Sequence, residues 1–408
     1  MGFIWPKELD FSEFWGAPYR PLFLASFLCA LVSLAWWPLG VRLGLPVPGL
    51  QPSVLWHVHE LIFGFVAAAI GGYVLTALPG WTSAPPLSGS LLKMLVLIWI
   101  VARCATGLAE TLPIFVPFVV NSMYFVALAG VISYQVFMAK TYRKLWFVVA
   151  ILALGIGETL FLKEALTGNV VTSLLIAQTM LVCILVLVSA VAMRAIPAFT
   201  NNWLIHSGDA EIRQAPFLRL GVIGLFGLAL ALRLFGLFDA SYCALLLASI
   251  AMFGAMSGWK SRAVLSNPLL TAQHLAFLWA PIGALLVGLS GLRIISYPVS
   301  DAIHALTIGA MSGLIMAIAG RAGAHTKDGG MRASFGFVVG VLAIWLTTWV
   351  RLVAPLAPNY ATDIHVAAAL LWCVGWIAFI IGFVPALSGP VRRPVLSGHK
   401  YQVSLAND

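Results

Sequence analysis

Stretches of about twenty apolar residues recur along almost the whole chain, and they constrain its fold more than any other feature. A run of that length carries an α-helix across a bilayer, where every backbone polar group must find its partner within the protein. Breaks at polar or Pro/Gly positions divide the sequence into twelve expected helices. They lie near 22–41, 54–79, 92–109, 113–139, 145–167, 170–196, 216–237, 240–259, 269–294, 300–321, 333–355 and 363–387. Only 9% of the 408 residues are charged and 61% are hydrophobic, against about 25% charged in an ordinary soluble domain. No stretch alternates polar and apolar residues as barrel strands do. The expected fold is an all-α polytopic membrane protein forming one transmembrane domain over 1–408. It comprises an N-terminal segment (1–21), a helical bundle (22–387) and a tail (388–408). The opening "MGFIWPKELDFSEFWGAPYR" mixes charge with aromatics and lacks the short apolar core of a cleavable signal.

Orientation follows from the basic residues. With the N-terminus in the cytoplasm, all but six of the 23 Lys and Arg fall on the inner side. The six exceptions are Arg42, Arg103, Lys163, Arg233, Arg293 and Arg351, each at the outer end of an odd-numbered helix. This asymmetry places both termini in the cytoplasm. The formal charge of +9 therefore needs membrane lipid, and no nucleic acid, to explain it. The five cysteines lie in or beside apolar runs and form no CxxC pair, so they read as small core residues. There is no CxxCH, so any haem is held without thioether bonds.

Helices two and ten echo each other. Each has a histidine five residues before a glycine, His59 with Gly64 and His304 with Gly309. Helix six offers Gln178 in the matching place and ends in "AIPAFT", sharing the Pro-x-x-Thr of "PGWT" in helix two. Three pseudo-repeats of four helices would account for this; so would the shared composition of Gly-rich apolar helices.

Four of the eight histidines gather at the outer face: His57 and His59 opening helix two, His304 opening helix ten, and His365 opening helix twelve. His274 and His325 lie at the inner ends of helices nine and ten, and His206 and His399 in inner polar segments. A helix-end histidine is often an interfacial group. Polar groups at membrane depth, however, are costly without a partner or a task. Neutral imidazole is the commonest metal ligand, and bundle cores build such sites from facing helices. Imidazoles from helices two and ten would clamp a b-type haem from both faces. His57 and His59 stand about 200° apart on a regular helix, so they cannot serve one metal from the same side. The glycine offset favours His59 as the partner of His304. The arginines Arg103, Arg233 and Arg351 either snorkel to the interface or pair with haem propionates. Glu158, deep in helix five, is expected to be a proton carrier or a group near a metal. Glu60 is either an imidazole-orienting acid or an acid favoured by a helix N-terminus. At the inner face, Arg194, Asn201, His274 and His325 line a second pocket or belong to ordinary basic loops.

The blocks "WHVHELIFGF" with "LTALPGWT", "MRAIPAFTNN", "HALTIGAMSG" with "RAGAHT", and "IHVAAALLW" resemble the signature blocks of the NnrS family, in order and over nearly the whole chain. That resemblance implies a bacterial membrane protein containing haem and copper and associated with nitric oxide and nitrosative stress. Departures fall at the inner face, where Met193, Ala324 and Lys327 stand in place of the family's glycines. A more distant likeness is to haem–copper oxidoreductases, which also have twelve helices and metal ligands on helices two, six and ten. Their adjacent pair of helix-seven histidines is missing here. The expectation is a haem-binding protein that handles nitric oxide, with an electron donor of unknown identity and enzymatic turnover left open. Its rival is a multi-helix transporter of copper, haem or a small anion.

Overall fold

The computed structural model describes residues 9–83, 85–212, 216–326, 329–391 and 395–396. Lys7, Arg213, Lys327, Arg392, Arg393, His399 and Lys400, used above to read orientation and loops, lie outside the described residues, as does most of the tail. Among the described residues, twelve helices are long and apolar enough to cross a membrane. They are α1 (Tyr19–Gly40), α2 (Ser53–Thr82), α3 (Gly89–Gly107), α4 (Phe115–Met138), α5 (Tyr142–Leu166) and α6 (Val170–His206). The second half holds α7 (Pro216–Leu234), α8 (Phe238–Ser257), α9 (Pro268–Gly291), α10 (Val299–Gly323), α11 (Phe335–Leu356) and α12 (Pro358–Leu387). Among the described residues no strand forms; His325 and Met331 make one isolated bridge.

Connections are short, so successive helices pack as antiparallel neighbours, and α12 returns to pack on α1. Trp372 Nε1 donates to Ala30 O at 2.8 Å across that junction. Beside it, Phe27 stacks on Trp376 at 5.4 Å and meets Phe379 and Phe383 edge-on. Both described ends of the chain meet on one face. Buried Arg20 donates from Nη1 to Glu13 O and from Nη2 to the Ser388 and Gly389 carbonyls, so one guanidinium ties the ends together. We call this the terminal face, and the opposite one the histidine-bearing face.

Burial sorts the helices. Of the most apolar eighteen-residue window, 78% is buried in α2 and 61% in α9 and α10, against 22% in α7. Helices α2, α9 and α10 thus form the interior, while Leu97, Ile100, Val149, Ile156, Leu247 and Ile250 point outward from the bundle. Apolar side chains on that outer surface are what lipid solvates.

Helices α2 and α10 share one irregularity. Immediately after His59, residues Glu60–Val66 form a π-helical segment, and immediately after His304, Ala305–Ser312 form another. A π segment shifts the i→i−4 ladder by one residue, and any carbonyl released at membrane depth needs a donor. Neighbouring helices supply donors around α2: Trp99 Nε1 to Gly64 O at 3.1 Å, Ser26 Oγ to Phe65 O at 2.9 Å, and Tyr124 OH to Ala67 O at 3.2 Å. In α10 the chain serves itself, Ser312 Oγ donating to Thr307 O at 2.8 Å. Helix α6, offered above as a third member of the series, carries no π segment. It runs unbroken to His206, ten residues past its expected end, with Pro197 inside it.

Candidate functional site

The histidine-bearing half of the bundle holds two adjoining groups of polar side chains. The first is built around His59, which is completely buried. Its Nδ1 lies 3.1 Å from Glu60 Oε1, and its Nε2 lies 3.1 Å from Glu158 Oε1, although not aligned for a hydrogen bond. Arg103, reaching in from α3, joins the two acids. Nη1 donates to Glu60 Oε1 at 3.1 Å, and Nη2 donates to Glu158 Oε1 at 3.2 Å and to Asn121 Oδ1 at 2.5 Å. Asn121 of α4 is held in turn by Thr106 and by the Pro117 carbonyl. From α1, Cys29 Sγ donates to Glu60 O at 3.4 Å and sits 3.7 Å from Glu60 Oε2. Phe63 and Phe161 flank the imidazole at 5.4 and 5.7 Å.

The local sequence explains this arrangement. Gly64 lies where a Cβ would stand 2.8 Å from Cys29 Sγ, 2.9 Å from Arg103 Nη1 and 3.1 Å from Glu60 Oε2, so only glycine leaves room for the ion pair. Charge bookkeeping follows from burial. An isolated ion is expensive in this medium, and Arg103 neutralises only one of the two carboxylates. The nearest group able to offset the second carboxylate is His59, whose Nε2 faces Glu158 Oε1 at 3.1 Å. Among the described residues, Glu158 Oε2 and His59 Nε2 have no hydrogen-bond partner.

The second group lies beside it, toward the surface. His57 and His304 are within electrostatic reach of each other, and both are within reach of Arg351. Arg351 Nη1 donates to Asp301 Oδ1 at 2.6 Å. His304 Nδ1 is 3.3 Å from the Asp301 carbonyl. A carbonyl only accepts, so Nδ1 carries the proton and Nε2 presents a lone pair. His57 rests on Trp37, ring centroids 4.9 Å apart, and its Nδ1 is buried without a partner, as is the indole Nε1 of adjacent Trp56. Buried polar atoms left unpaired in a native core call for an explanation; a bound group is one. His365 stands exposed at the rim, within reach of Arg351, Asp301 and Arg42.

His57 and His304 lie within electrostatic reach of each other, while both ring nitrogens of His59 face carboxylates. Arg103 has its fork engaged by Glu60, Glu158 and Asn121. Arg233 donates to Gln178 Oε1 at 3.1 Å and lies over the Phe238 ring, apart from the histidines. Of the three arginines, Arg351 alone has its contacts in the outer histidine group. Glu158 is completely buried in the first group, and Glu60 Oε1 lies within hydrogen-bond distance of the His59 imidazole. The residues that sequence reading missed are Asn121, Cys29 and Asp301. An asparagine inside "FVPFVVNSMY" was a signal of the same kind as Glu158; Cys29 and Asp301 carried none.

On the terminal side His274 lies between two hydroxyls. Thr200 Oγ is 2.9 Å from Nε2 and Ser261 Oγ is 2.8 Å from Nδ1, a clasp joining α6, α9 and the preceding loop. His325 Nε2 lies 3.1 Å from Val395 O, and His206 Nδ1 lies 2.6 Å from Asn202 O. Arg194 lines a large cavity on this side, but His274, His325 and Asn201 are not among its walls. Among the described residues, no three or more His, Cys, Asp or Glu side chains come together in a way that could hold a metal ion. A bis-imidazole haem needs only two.

Twelve helices long and apolar enough to cross a membrane, around a buried imidazole, carboxylate and guanidinium network, define a multi-pass membrane protein with an intramembrane polar site. The chain belongs to the NnrS family: the family model described as NnrS protein matches residues 13–390, nearly the whole length. No curated protein sequence matches it significantly.

Proposed function

We propose that this NnrS-family protein binds haem b between α2 and α10 and uses it to take up nitric oxide within the bacterial inner membrane. The observation that carries this reading is the pair His57 and His304. They are imidazoles on separate helices within electrostatic reach of each other, one with a buried nitrogen that has no partner among the described residues and the other with Nε2 freed by the Asp301 carbonyl. These residues fit a haem: His57 and His304 would hold the iron and Arg351 would face an acidic edge, with His365 at the rim. A haem held there by two imidazoles would supply an iron that binds nitric oxide, which partitions into the bilayer, once one of the imidazoles gives up its place. The protein's own residues do the rest. Trp37 supports His57, Asp301 fixes the tautomer of His304, and the His59–Glu158 pair holds one proton that could be delivered to a bound ligand. The copper implied by family likeness has no three-ligand group among the described residues, and no step is derived through it. The Lys/Arg bias supports an orientation with the terminal face in the cytoplasm.

Purified protein tests this. The expected result is a reduced haem b spectrum that shifts on addition of nitric oxide, with the gas consumed faster than by a haem-free preparation when a reductant is present. A colourless preparation that cannot be reconstituted with haem would overturn the proposal. A spectrum that shifts without consumption would make the protein a binder instead of an enzyme.

A further inference from the structure

The terminal face contains a cavity of about 1000 Å³, at the upper end of the range for small-molecule pockets. Lys144, Arg194 and Arg219 reach it from α5, α6 and α7. Among the described residues, none of the three has an ion-pair partner, and no acid lines the cavity. Basic residues on this side of a membrane protein ordinarily sit in loops facing water. Here three cations line one recess, with Lys144 and Arg194 close enough to repel each other. The remaining walls are aromatic and small. Lys144 Nζ lies 4.5 Å over the Trp81 ring, and Trp81 stacks on Phe147 at 5.0 Å. Ala190, Ala195 and Ala198 of α6 keep the space open. Thr76 Oγ1 on α2 is buried at the wall without a partner among the described residues, although a helical threonine usually bonds its own i−4 carbonyl.

Beyond this basic mouth lies a second cavity toward the bundle interior, between α1, α2, α5, α6 and α10, with purely apolar walls. Tyr73, Phe147 and Val191 line both, so the two adjoin. Positive charge at the mouth, flat aromatic walls and an apolar chamber behind match one kind of ligand. We infer that this cavity binds an anionic amphiphile, its acidic head held by Lys144, Arg194 and Arg219 and its apolar body lying along Trp81 and Phe147 toward the inner chamber. A membrane phospholipid and a free long-chain acid both have this chemistry. The inference stands independently of haem binding.

Native mass spectrometry of the delipidated full chain provides the test, with phosphatidylglycerol, phosphatidylcholine and oleate offered separately. The expected result is a 1:1 adduct with an anionic amphiphile, at least tenfold tighter than with phosphatidylcholine. Retention of phosphatidylglycerol identifies the membrane as the source, and retention of oleate alone identifies a free acid. The triple variant K144Q/R194Q/R219Q should lose that preference at least tenfold. Ala190→Trp, which fills the space without altering charge, should lose the adduct as well. Equal retention of phosphatidylcholine by the wild-type chain overturns the inference whether or not the triple variant folds. Unchanged retention by either variant overturns it too.

Discussion

Replacing Arg103 by Met should expose the ionic logic of the buried site. The substitution keeps much of the aliphatic stem and removes the guanidinium. That deletes hydrogen bonds to Glu60 (3.1 Å), Glu158 (3.2 Å) and Asn121 (2.5 Å) and leaves two buried carboxylates to share whatever protons His59 and the solvent provide. Breaking a buried pair by removing one partner costs about 3–5 kcal/mol, and the stranded Asn121 adds to the upper end. The second acid makes the prediction sharper. In the wild-type chain Glu158→Gln removes a partner of both Arg103 and His59 and should cost about 1–3 kcal/mol. In the Arg103→Met background the same change removes a surplus negative charge and leaves Glu60 opposite protonated His59. There it should restore at least half of the lost stability. The sign of the second substitution therefore inverts between backgrounds, a coupling that a double-mutant cycle measures directly. Reversible unfolding in mixed micelles of SDS and dodecylmaltoside is a suitable assay. If Arg103→Met is as stable as wild type, or if Glu158→Gln is equally destabilising in both backgrounds, the charge accounting given for this cluster is wrong.

Three further outcomes are expected. Gly64→Ala places a methyl within 3 Å of Cys29 Sγ and Arg103 Nη1, and should destabilise by about 1–3 kcal/mol in the same unfolding assay, with a smaller penalty in the Cys29→Ala background. Gly309→Ala drives a methyl into the fixed indole of Trp279; it should cost about as much, and Trp279→Leu should relieve it. Thr200→Val leaves a buried nitrogen of His274 unpaired and should lower stability by about 1–3 kcal/mol while leaving the haem spectrum unchanged. A changed spectrum would instead make His274 a metal ligand.

The membrane architecture was legible because the bilayer imposes a length on apolar runs. All twelve expected helices form, with ends shifted by a few residues in most cases. The largest departure is α6, where Pro197 was read as a stop. Pro is tolerated within membrane helices because neighbours satisfy the carbonyl it frees, and this helix continues through "AFTNNWLIH". The π segments were invisible, since "ELIFGFV" and "ALTIGAMS" carry no periodic signal that distinguishes π from α. That gap decided the histidine pairing. The His59–Gly64 and His304–Gly309 offsets match as strings, and both glycines do lie inside π segments. Equal offsets say nothing about which way each ring turns, and Glu158, 99 residues from His59 in sequence, captures the imidazole. The partners of Arg103 were unreadable for the same reason: α3, α4 and α5 meet only in the folded bundle. Glu60, Arg103 and Glu158, which the sequence offers as separate intramembrane charges, lie in one cluster.

The pairing of His57 with His304 is tested most directly by electron paramagnetic resonance of the ferric protein and of three single alanine variants. Wild type and His59→Ala should both give the low-spin signal of bis-imidazole iron, with His59→Ala less stable. His57→Ala and His304→Ala should each convert that signal to high spin or lose the haem. If His59→Ala loses the low-spin signal and His57→Ala keeps it, the iron sits elsewhere and the site proposed between α2 and α10 is refuted.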